Sequence, residues 1–86
     1  MGGRDMKKIG EITHYFSKIG VAIIQLRGAL SIGEKIIIKG TTTHIEQDVT
    51  SMQIEQKDII KAKRGQNIGL KVDGKVRKKD NVYRIS

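Results

Sequence analysis

Residues 28–40, GALSIGEKIIIKG, hold two glycines with four residues between them and a lysine soon after, the outline of a loop that cradles a nucleotide phosphate. That chemistry needs Gly-Lys-Ser or Gly-Lys-Thr at the second glycine and a helix behind it. Backbone amides and the lysine then hold the phosphates while the hydroxyl binds magnesium. Here Gly33 is followed by Glu34, whose charge repels phosphate; Lys35 stands one place late, and no hydroxyl follows it. The β-branched run at Ile36, Ile37 and Ile38 favours a strand over a helix. The stretch is not a nucleotide site, and its glycines are left to shape turns. His14 and His44 are the only imidazoles and there is no cysteine, so a zinc site lacks its usual three or four ligands; only Glu46 and Asp48 stand near His44. Ser17, Ser31 and Ser51 lie in no nucleophile motif, and Glu55 and Asp58 beside lysines read as surface charge balance. No catalytic residue, cofactor or metal ligand is expected, and the chain is not expected to be an enzyme.

Charge is the remaining chemical signal. Seventeen Lys and Arg face nine Asp and Glu, a formal net charge of +8, which favours a polyanionic partner over a neutral one. The cations cluster. Lys75, Arg77, Lys78 and Lys79 crowd one turn, with Arg84 just after; Lys57, Lys61, Lys63 and Arg64 crowd another. Between them lies NIGLKV, residues 67–72, a strand of about 20 Å at about 3.3 Å per residue, with Lys71 on its outer face. Such a strip could follow several phosphates of an RNA backbone. The competing reading is plain solvated turns that keep the protein soluble.

The elements that must carry these residues are strands. Val21–Leu26 and Glu34–Lys39 read as two, with Ile36 and Ile38 on one face and Ile37 on the other. In 67–72, Ile68, Leu70 and Val72 point inward and Gly69 and Lys71 outward. NVYRI closes the sheet, KKIGEITHYF opens it, and DVTSMQIEQ lies in its middle with Met52 in the core. Ten glycines and no proline predict turns built on positive φ, with signals at Gly65 and at Asp73–Gly74. Eighty-six residues allow one small domain. The expected organisation is a flexible N-terminus over 1–7 and a single β-barrel domain over 8–86. Closure of the sheet is expected because it removes exposed edges.

The glycine pattern carries a resemblance. Gly28-x-Leu30-x-x-Gly33-Glu34-x-Ile36-x-Ile38-x-Gly40 resembles the hairpin of the second domain of translation GTPases, elongation factor Tu, initiation factor two and their relatives. VTSMQIEQ from Val49 to Gln56 is similar to that family's Val-x-Ser strand. Ala62-x-x-Gly65-x-Asn67-Ile68-Gly69-Leu70 is similar to its Ala-x-x-Gly-acid-Asn-Val-Gly signature, with Gln66 in place of the acid. KKDNV falls at the family's basic turn before the last strand, and GEITHYFSKIGVAIIQL at its opening hairpin, so the resemblance covers residues 9–85. It implies an all-β fold, a small closed six-stranded antiparallel Greek-key barrel. It also implies a non-enzymatic partner of RNA, either tRNA or ribosomal RNA. The RNA-binding residues expected from the charge clusters are Lys61, Lys63, Arg64, Lys71, Lys75, Arg77, Lys78 and Lys79. No GTPase motif accompanies the barrel, so no GTP binding by this chain alone is expected.

The second reading is an adaptor that docks onto a GTPase or another enzyme, without nucleic acid, through exposed apolar residues among Ile37, Tyr15 and Phe16. The longest apolar runs, VAIIQL and III, are too short to span a bilayer, and no signal peptide is legible, so no membrane partner and a cytoplasmic location are expected.

Overall fold

A computed structural model describes residues 5–85. Ten strands follow one another without a helix among the described residues: β1 Met6–Phe16, β2 Val21–Leu26, β3 Leu30–Ser31, β4 Lys35–Lys39, β5 His44–Asp48, β6 Met52–Ile54, β7 Lys57–Ile59, β8 Lys61–Ala62, β9 Asn67–Lys71 and β10 Asn81–Ile85. Eight form one antiparallel sheet in the order β5-β4-β10-β1-β2-β9-β6-β7, and β3 and β8 pair separately. The expected flexible segment 1–7 falls partly outside the described residues. Within them, Met6 and Lys7 pair with Ile85 and Arg84 of β10.

The long first strand organises the sheet. Its first half pairs with β10 and its second half with β2. The register shifts once on each side, at Lys8/Gly10 and at Ile12/His14. Each extra residue bends the strand and strengthens its twist, which wraps the sheet around one core. At the inner bend β1 crosses β2 so closely that a Cβ on Gly10 would lie 2.7 Å from Gln25 O. Inward rows then run across strands: Ile12, Ile24 and Ile68 in one, Ala22, Leu70 and Met52 in the next. All six are at most 1% exposed. Leu30 of β3 and Val49 cover one end of this core. The turn that carries Leu30 is held by Ile32 N–H to Ile60 O and Gly33 N–H to Val49 O.

The all-β expectation holds, but the sheet is open, and the closed six-stranded barrel is corrected. The sheet ends in two edge strands, β5 and β7, that share no ladder, and β6 pairs with β9 only at Leu70 and Gly69. A side chain bridges the gap instead. Gln47 of β5, 6% exposed, donates through Nε2 to Lys71 O (2.9 Å) and accepts the Asp73 N–H through Oε1 (2.8 Å). The amide thus ties edge strand β5 to the end of β9 in place of a ladder.

Candidate functional site

None of the tempting catalytic positions gathers into a site. Among the described residues, no group of three or more His, Cys, Asp or Glu side chains is placed to hold a metal. His14 stacks obliquely on Phe16, ring centroids 4.4 Å apart, and His44 is exposed on edge strand β5. Gly33, at φ 93°, turns the chain into β4, and the Glu34 carboxylate accepts the Ser31 N–H (2.7 Å). Arg84 steadies the same turn, donating to Ala29 O (2.9 Å) with its Nε 3.7 Å from Glu34. The glutamate that spoils the phosphate loop therefore caps a β-turn.

The cations expected to form one strip line more than one concavity. Arg77, Lys78 and Lys79 line an open cleft of about 720 Å³ together with Lys39 and the hydroxyl-bearing Thr41 and Thr42. Lys61 and Lys63 border a different hollow, of about 370 Å³, beside Gln66. Arg64 and Lys75 are exposed and line neither. Lys71, expected to join the two ends, instead donates its ammonium to Ile19 O (3.0 Å) and holds the turn between β1 and β2. Lys39 is the cation the sequence reading missed. Its signal is the β4–β10 register, which sets it opposite Asn81 beside the 77–80 turn.

That turn is built around Asp80, 5% exposed, whose Oδ2 accepts the Arg77 N–H (2.8 Å). Lys79 N–H and Asp80 O bind Ile12 at 2.7 and 2.8 Å, and Lys79 adopts φ 78°. Gly40 closes over the carboxylate: a Cβ there would overlap Asp80 Oδ1 and lie 2.6 Å from its Cγ. Gly40→Ala is therefore expected to push the carboxylate off the Arg77 N–H and cost about 1–3 kcal/mol. Gly69→Ala, whose Cβ meets only ordinary contacts at 3.6 Å and beyond, is the control. Urea midpoints would show it; equal midpoints for the two variants would mean the cap is idle.

A third concavity lies on the outer face of β2, β9 and β6. Phe16, Ile19, Val21 and Ile23 wall a groove of about 570 Å³ around Gly69, and Gln53, Gln56, Gln66 and Asn67 rim it. Phe16 and Ile19 are 45% and 58% exposed. The sequence reading offers Phe16 as an adaptor contact. Of the other two residues offered for such a contact, Tyr15 packs on the core and Ile37 is 4% exposed.

This geometry defines a small all-β unit whose buried polar groups hold turns together. The same fold occurs in the C-terminal domain of a Geobacillus thermoleovorans protein assigned to the U32 peptidases, with a TM-score of 0.85, 17% identity and 91% of each chain covered. Its selenomethionine variant gives 0.84. Sequence relatives point the same way. An uncharacterized protease of Methanocaldococcus jannaschii is 43% identical over 77 residues, which are 88% of this chain and 19% of that one. A collagenase of Porphyromonas gingivalis is 41% identical over 87 residues, 96% of this chain and 24% of its own length. The chain spans about a fifth of the length of these curated relatives. No family profile matches it.

These relatives overturn the translation-GTPase resemblance and the RNA-binding function drawn from it. The physical reason is that the quoted motif residues serve the backbone. Gly33 and Gly65 take φ 93° and 91°, Gly40 accommodates Asp80, and Leu30 and Ile68 are buried. Residues of that kind report a fold, and a fold is shared by unrelated functions. Among the described residues, no helix is long and apolar enough to cross a membrane.

Proposed function

We propose that this chain is a non-catalytic accessory β-domain of a U32-type peptidase, placed in the cytoplasm as the sequence reading expects. The observation that carries the proposal is the 43% identity that spans 88% of this chain but 19% of a protease. A segment matched so fully by so small a part of a longer protein is a module of it. The polar side chains support a structural role. Glu34, Gln47 and Asp80 each accept a backbone N–H at 2.7–2.8 Å, which commits them to turns and edges.

The test exchanges the matching segment of the Porphyromonas gingivalis collagenase for this chain. The isolated chain is expected to release no peptides from collagen, and the exchanged protein to cleave it well above the same protein with the segment deleted. Collagen cleavage by the isolated chain, or an exchange no better than the deletion, would refute the reading.

A further inference from the structure

We infer that the groove around Gly69 is the face by which this unit packs against the rest of a peptidase-type chain. The inference rests on the accessory-domain reading above and adds the surface and the chemistry of its occupant, an apolar, uncharged ridge of the neighbouring domain.

Two independent observations meet at this groove. The first is composition. Thirty per cent of the chain is charged, yet among the described residues Glu55 is the only charged one lining the groove. Its walls are Phe16, Ile19, Val21 and Ile23, and its rim is built of amides. An apolar centre with an aromatic residue, depleted of charge and bordered by neutral polar groups, is the makeup of an interface core.

The second is the glycine. Gly69 sits inside β9, between β2 and β6, where a side chain would add packing and a glycine weakens the strand. Nothing in the fold demands it. Its φ lies outside the left-handed region, and a Cβ would meet Val21 Cγ1 at 3.6 Å and Gln53 O and Ile23 Cδ1 at 3.8 Å, all ordinary contacts. Neither conformation nor crowding within the unit explains the missing side chain, whereas close approach by another surface does. The occupant follows from the relatives, in which the matched segment is 19% and 24% of the whole length and the rest is further chain.

Hydroxyl-radical footprinting of the collagenase exchange described above, against the isolated chain, tests the inference. Phe16 and Ile19 should label about threefold less in the exchanged protein, as half-exposed side chains become an interface core. Ile60, 80% exposed and outside the groove, serves as reference and should not change. Gly69→Val, which fills the groove, and Ile19→Asp, on an exposed turn, should each restore the labelling of Phe16. The isolated variants should keep the circular dichroism of the parent. Protection confined to Ile60 or to the 39–42 and 77–81 turns would overturn this face while leaving the accessory-domain reading in place. Protection of Phe16 that survives both variants would also overturn it. No protection anywhere on the unit would remove the accessory-domain reading as well.

Discussion

Ile24→Ala is expected to lower the free energy of unfolding by about 2–5 kcal/mol. Ile24 sits in the middle of β2 at 0% exposure, directly opposite Ile12 of β1 and Ile68 of β9, themselves 1% and 0% exposed. Truncation removes apolar surface from the centre of a three-strand row and leaves a cavity the neighbouring strands cannot close without breaking register. Small domains hold about 5–15 kcal/mol in total, so the loss consumes a large share. Ile24→Val should cost about 0.5–1.5 kcal/mol, and Ile19→Ala, at an exposed position, no more than about 0.5. Urea unfolding followed by circular dichroism suits a chain without tryptophan. A midpoint for Ile24→Ala equal to that of Ile19→Ala would mean that the row is not the core.

The row was legible because alternation is a local property. Ile36 and Ile38 inward, Ile68 and Leu70 inward and Lys71 outward all follow from a period of two within one strand. What escaped depends on partners far along the chain. Ile37 was placed on the outer face, where Tyr83 and Glu46 flank it in register and it is 4% exposed. Lys71 is expected on the outer face as the link between two cationic clusters, and its acceptor, Ile19 O, lies 52 residues away.

The β6–β7 hairpin was invisible for a different reason. Its turn residues, Glu55 and Gln56, adopt φ 51° and 67°. Two consecutive positive φ values make the usual two-residue hairpin turn, but glycine or asparagine normally announces it. Left-handed backbone costs these residues about 1–2 kcal/mol each; burial of Met52 at 1% exposure and the Gln53 Nε2 to Asp58 Oδ1 bond of 2.9 Å help offset it.

The candidate site was the least legible. The glycine spacing truthfully reported bends, and the inference from bends to a particular family failed because many β-folds need the same bends. The groove has no motif at all. Phe16 and Ile19 belong to the β1–β2 turn, and Gly69 to a strand about fifty residues on. Only the register that sets Val21 opposite Lys71 and Ile23 opposite Gly69 brings them to one face.

Gln47 tests whether the side-chain bridge substitutes for a ladder. Gln47→Ala should cost about 2–4 kcal/mol, since it strands Lys71 O and the Asp73 N–H together in partial burial, each worth about 1–3 kcal/mol unpaired. Gln47→Glu separates the two bonds. A carboxylate can still accept the Asp73 N–H, but it sets negative charge against Lys71 O, where the amide donated. The introduced carboxyl therefore holds its proton more tightly in the folded state than in the unfolded chain, where glutamate titrates at about 4.3. With the folded value raised, the stability of Gln47→Glu is highest below the unfolded value, where the protonated carboxyl donates to Lys71 O. It falls as pH rises through the folded value. The deficit of Gln47→Ala relative to the parent contains no such titration and should stay flat. Denaturant midpoints of the three proteins from acid to neutral pH would show Gln47→Glu close to the parent in acid and diverging from it on neutralisation. Parallel curves for the two variants would mean that Gln47 only fills space, and that the curled sheet is held at that seam by packing alone.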